Sequence, residues 1–156
     1  MTVRVGHPTD EPALRVLQAH LREPSPTLLA HGLRDGGVLV DEATVDGDDG
    51  RVGGDGGATG DPTATVPVGY LLAVDGDGTH VAELVVHPAR RREGRATALF
   101  DRLFERTTGP VTLLVAADND PARRLYADLG FHRVERRPGF YDDGTDALLL
   151  ARDVAP

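Results

Sequence analysis

Arg91-Arg92-Glu93-Gly94-Arg95-Ala96-Thr97 is the stretch of this sequence best suited to hold an anion. It follows the apolar run Leu84-Val85-Val86 and precedes Ala98, Leu99, Leu103 and Phe104, which recur at helical spacing. A glycine-containing turn therefore leads from a strand into a helix N-terminus. The first N–H groups of a helix have no intrahelical partner and lie at the positive end of its dipole, so a diphosphate can bridge them. Gly94 and Ala96 are small enough for close backbone approach, and Arg91, Arg92 and Arg95 add positive charge. The run is not a Walker loop, which needs a second glycine followed by lysine, because the chain contains no lysine; nor does it fit the three-glycine dinucleotide fingerprint.

The elements that must position this turn are legible in outline. Val3 and Val5 mark a short opening strand, and Thr9 and Pro12 start a helix carrying Leu14, Val16, Leu17 and Leu21. Ser25-Pro26 caps a second helix through Leu28, Leu29 and Leu33, predicted to stop near Gly32. Val38 to Val40 and Thr65 to Val74 read as strands, the latter turning at Asp75-Gly76-Asp77-Gly78 into His80 to Val86. Gly109-Pro110 ends the helix after the arginine run and precedes a strand from Val111 to Ala117. Asn119 or Asp120 then caps a helix containing Pro121, Ala122, Leu125, Tyr126 and Leu129 that ends at Gly130, with closing strands at Phe131 to Val134 and Ala147 to Ala151. Between the second and third strands, residues 46–61 are rich in glycine and aspartate and read as a mobile inserted loop. Its aspartates lack the closing glutamate of a twelve-residue calcium loop, so no metal is expected.

Composition excludes whole classes of chemistry. The chain has no cysteine, which removes disulfides, thiolate metal sites and thiol nucleophiles. Its formal charge of -8 disfavours nonspecific nucleic-acid binding, and its apolar runs are too short to span a membrane. The start MTVRVGHPTDE lacks an export signal, so a cytoplasmic location is expected. The 156 residues fit a single domain spanning 1–156. An acidic surface with arginine as its only strong base suits high salt, and a GC-rich genome explains the missing lysine equally well. Unfolding measured against molar salt separates the two.

Arg91-Arg92-Glu93-Gly94-Arg95-Ala96 resembles the R/Q-x-x-G-x-G/A coenzyme-A signature of the GNAT acetyltransferases, and Val85-Val86-His87-Pro88 precedes it as that family's core strand does. Asn119 to Phe131 is similar to a second signature, N-x-x-A-x-x-x-Y-x-x-x-G-F. The resemblance covers nearly the whole chain outside the insertion. It implies an α/β (α+β) fold with a mixed, mostly antiparallel sheet of about six or seven strands flanked by about four helices. It implies acetyl-CoA as cosubstrate in a cleft where the strands ending near Val86 and Ala117 splay. Leu84, Val85 and Val86 would line the pantetheine, residues 91–97 would hold the diphosphate, and Asn119 and Tyr126 would complete the cofactor site.

The implied reaction is direct attack by a neutral amine, through a tetrahedral intermediate, with a base to take the amine proton and an acid to protonate the thiolate. Tyr126 matches the family's acid. Glu83 matches a position that is often acidic in the family and is the candidate base; a regular strand would leave it facing solvent instead. His87 and Asp118 are alternatives. In bacterial ribosomal-protein acetylases the base is a glutamate on the next strand, where this chain has Leu114. The ending GFYDDGTDALLLARD resembles protein N-terminal acetyltransferases, which would set Tyr141 against the substrate backbone. An α-amine, with an unperturbed pKa of about 8, asks less of a base than a lysine at about 10.4. The acceptor is thus expected to be a peptide N-terminus, with a small-molecule amine, or a non-catalytic acyl-CoA-binding module, as alternatives. A homodimer is left open.

Overall fold

The computed structural model describes residues 2–44 and 64–154. The expected insertion at 46–61 lies outside the described residues, as does the calcium question it raises. The chain forms β1 (Thr2–Val5), α1 (Glu11–Gln18), α2 (Pro26–Asp35), β2 (Val38–Thr44), β3 (Thr65–Gly76), β4 (Gly78–Val86), α3 (Arg95–Arg106), β5 (Gly109–Ala116), α4 (Asp120–Asp128), β6 (His132–Arg137) and β7 (Ala147–Val154). Among the described residues, seven strands make one sheet in the order β1-β2-β3-β4-β5-β7-β6. Every pairing is antiparallel except β4 with β5.

Helices cover both faces. Leu14, Leu17, Leu29 and Leu33 of α1 and α2 pack on Val38, Val40, Tyr70, Leu72 and Val85. On the other face Leu99, Phe100 and Leu103 of α3, with Tyr126 of α4, pack on Leu39, Leu71, Val81, Val111, Leu113 and Val115. A central strand such as β2, whose first four residues are all buried, is the expected result of covering both faces.

Several boundaries differ from the sequence reading: α1 ends at Gln18, short of Leu21, β6 runs His132–Arg137 rather than Phe131 to Val134, and β7 continues past Ala151 to Val154. The second helix does not stop near Gly32: it continues to Asp35 and ends on Gly36, whose φ of 82° is the left-handed cap conformation. Gly32 is there for packing, since a Cβ on it would come within 2.5 Å of Leu72 Cδ1. β2 also continues past Val40 through Asp41 and Glu42, two acids that suggest a strand end but are held by arginines: Arg95 takes Asp41 and Arg4 takes Glu42. The Ser25 cap is as expected, its hydroxyl accepting from Leu28 N.

Candidate active site

The parallel pairing of β4 with β5 runs only from Thr79↔Val111 to Val81↔Leu113. Beyond Val81, β4 stays paired to β3 as far as Val86↔Gly69, so along Leu84–Val86 its other edge faces a gap. The opening coincides with a bulge. Leu72 pairs with Glu83 and Ala73 with Val81, which leaves Ala82 as an extra residue on β4. An extra residue inverts the alternation of faces. Val81 packs with α3, whereas Val85 packs with α1 and α2, and Glu83 goes with Val85.

Glu83 is accordingly buried, 5% exposed, rather than turned to solvent. Its carboxylate accepts from Gln18 Nε2 at 3.0 and 3.3 Å, from Ser25 N at 2.8 Å and from the Tyr70 hydroxyl at 2.8 Å. These donors are all neutral. Burial, and then the charge of Glu83, pushes the Tyr70 phenol well above its ordinary range, so it remains a donor.

On the opposite face α4 presents Tyr126, which is 8% exposed and stacks edge-on against Phe100 and Phe131 at 5.9 Å each. Burial, with a smaller contribution from Tyr141, pushes its phenol up to about 12. It is therefore fully protonated near neutral pH. Asn119 serves as the cap of α4, its side chain accepting from Ala122 N at 3.2 Å. Leu114 lies on β5 opposite Leu149 of β7.

The turn after β4 has the geometry an anion site needs. Gly94 has a φ of 81°, and a Cβ there would meet nothing within 4 Å, so the approach to the helix start is open. The first intrahelical bond is Ala98 N to Gly94 O, which leaves the N–H groups of Arg95, Ala96 and Thr97 ahead of it. The arginines divide their tasks. Arg91 Nε donates to Val86 O at 3.1 Å, tying the turn to the end of β4. Arg92 is exposed and has a φ of 66°, an unusual conformation for a residue with a side chain. Arg95 points inward, to Asp41 at 3.2 Å and Glu93 at 2.7 Å, so its side-chain charge is satisfied within the protein instead of facing a ligand.

Arg22, from the α1–α2 connection, lies 4.9 Å over the Tyr141 ring and pairs with Asp143 at 3.3 Å and with Asp118, which follows β5, at 3.7 Å. Tyr141 is half-buried, which raises its phenol despite the opposing charge of Arg22. The β6–β7 connection is held by its own bonds, including Tyr141 N to Thr145 O and Gly139 N to the Asp146 carboxylate. His87 is exposed, its Nδ1 accepting from Ala89 N at 3.0 Å.

The family model described as the Acetyltransferase (GNAT) family matches residues 8–131. The chain belongs to this family. It is 37% identical over 108 residues to a mycothiol acetyltransferase of Clavibacter michiganensis, a match covering 69% of this chain and 29% of that protein. It is 36% identical over 80 residues to an N-alpha-acetyltransferase of Saccharolobus solfataricus, covering 48% of each. The chain thus spans less than half the length of either relative. Among solved structures, Ard1 from Thermoplasma volcanium superposes with a TM-score of 0.77 at 25% identity, covering 99% of this chain and 98% of that one. The ribosomal-protein-S18-alanine N-acetyltransferase from Escherichia coli shares the fold, with a TM-score of 0.73 at 22% identity over 99% of this chain and 94% of its own.

Proposed function

We propose that this protein transfers the acetyl group of acetyl-coenzyme A to a primary amine, with a protein N-terminal α-amine as acceptor. The observation that supports the reading is the gap along Leu84–Val86; the Glu83 carboxylate is buried on the α1–α2 face of the sheet and the Tyr126 phenol, protonated near neutral pH, on the α3 face. Acetyl-CoA supplies an acyl group activated as a thioester. The residues present suit it: free amides at Arg95, Ala96 and Thr97 and the open space at Gly94 for the diphosphate, and the unpaired edge of β4 for the amides of pantetheine.

In this mechanism Glu83 receives the proton that the ammonium must lose before its nitrogen can attack. Gln18 spans both carboxylate oxygens, so its longer contact of 3.3 Å is the one Glu83 gives up to reach the amine. As the nitrogen–carbon bond forms and the carbon–sulfur bond breaks, Tyr126 donates its proton to the departing sulfur and regains one from solvent. Tyr141, with Arg22, borders the acceptor. An α-amine fits a site with a single candidate base on β4 and Leu114 on β5, because it is partly neutral near pH 7.

The likeness to an N-alpha-acetyltransferase supports the peptide acceptor, while the likeness to mycothiol acetyltransferases favours a small-molecule amine as the second reading. Thiol release from acetyl-CoA, measured across N-terminal peptides and small amines, tests both. Turnover on peptides supports the first and turnover confined to small amines the second. Binding of CoA without turnover on any amine would make the chain an acyl-CoA-binding module.

A further inference from the structure

Asp41 is a fully buried carboxylate on β2, a strand that carries no expected site residue, and its partner is the first residue of α3. It shares a face of β2 with Leu39, which belongs to the cluster under α3. Arg95 Nη1 lies 3.2 Å from both Asp41 oxygens, while its Nε lies 2.7 Å from Glu93 Oε1. One guanidinium therefore joins a central strand, the turn and the helix start. Burial pushes the Asp41 carboxyl above its ordinary range although Arg95 pulls the other way, so the charged state of this carboxylate depends on its partner.

Such a pair is a poor device for stability alone, since two well-packed apolar side chains would hold a helix to a sheet without the cost of desolvating charges. What an apolar pair cannot do is reach Glu93 as well. A planar guanidinium with fixed donor directions can hold two carboxylates at a set angle. The turn needs that restraint: Arg92 and Gly94 both have positive φ, at 66° and 81°, and Arg91 fixes the turn only at its β4 end.

We propose that Asp41 and Arg95 are positioning residues for the diphosphate of acetyl-CoA: their buried pair, extended to Glu93, sets the direction of the amides at Arg95, Ala96 and Thr97. The inference rests on the reading that this turn holds the diphosphate, and it moves the side chain of Arg95 from ligand contact to scaffold.

The test is calorimetric titration of CoA into the full chain and its variants, with thermal unfolding of each. Asp41→Asn should weaken CoA binding by about tenfold or more, the scale on which supporting contacts around a site act. The double variant D41L/R95M should regain thermal stability yet still bind CoA at least tenfold more weakly than the native protein, because Glu93 stays untethered. Leu29→Ala, a cavity in the opposite face, should lower stability without changing CoA affinity. Gly94→Val, which strains the cap itself, should abolish measurable binding. Native affinity in Asp41→Asn and D41L/R95M, alongside loss in Gly94→Val, would overturn the positioning role and leave the diphosphate site standing. Native affinity in Gly94→Val would overturn both. Affinity that follows unfolding temperature in every variant, Leu29→Ala included, would show that the pair acts on stability alone.

Discussion

Asp41 and Glu83 are both buried acids of the central sheet, 0% and 5% exposed, yet their surroundings differ in kind. Asp41 faces the α3 side and is met by a formal positive charge from Arg95. Glu83 faces the α1–α2 side and, among the described residues, is met only by an amide side chain, a backbone N–H and a hydroxyl. A carboxylate neutralised by a guanidinium has nothing left for a cation, whereas one held by neutral dipoles keeps its net charge. In a poorly solvated site that charge attracts an incoming ammonium strongly. On the proposed mechanism, the same residue class serves fixation on one face and reaction on the other.

The sharpest way to break this contrast is Glu83→Gln, which keeps shape and removes charge. Turnover should fall by about a hundredfold to ten-thousandfold, the usual range for a general base, with CoA affinity nearly unchanged. Retained turnover would return Glu83 to a purely structural part. Tyr126→Phe comes next, with a loss of about 10 to 1,000 fold in turnover and little change in CoA binding. Because the acid must be protonated and its pKa is raised to about 12, the native rate should show no alkaline fall from this group near 10, the ordinary phenol value. A limb at that value would contradict the assignment.

Smaller effects sharpen the picture at the edges. Arg22→Ala removes exposed pairs that contribute little in water, so acceptor KM should change by only about two- to fivefold while CoA affinity stays constant. A shift in CoA affinity instead would place Arg22 on the wrong side of the gap. Asp10 is a third engaged acid, away from the gap, held by Arg4 at 2.8 and 2.9 Å and by His7 N. Asp10→Asn should cost about 1–2 kcal/mol of stability and leave turnover alone. Hydrogen bonding to Arg4 holds the Asp10 carboxyl below its ordinary 3.8, so its contribution is present above that pH and is lost as pH falls through the lower folded value. Equal sensitivity of native protein and Asp10→Asn to acid would remove this contribution.

Much of the fold was readable because local rules governed it. The Ser25-Pro26 cap, the hairpin after Val74 and the turn ending in Gly94 depend on backbone preferences and on donors within a few residues, so the linear pattern carries them. The expected gap beside Leu84–Val86 had a different source, the family resemblance, and is present as the divergence of β4 from β5. Gly32 misled because a packing glycine and a terminating glycine look alike until Leu72 is placed against the helix.

What the sequence determined by itself was the type and order of elements; tertiary structure decided which way the candidate residues face. Strict alternation would keep Glu83 beside Val81, and a single extra residue at Ala82 sends it to the other side of the sheet. Arg95 sits in a run of arginines that reads as ligand-facing, and a carboxylate 54 positions earlier turns it inward. Both outcomes depend on partners that meet only when the strands register, because side-chain direction in a sheet is a property of pairing and not of spacing alone.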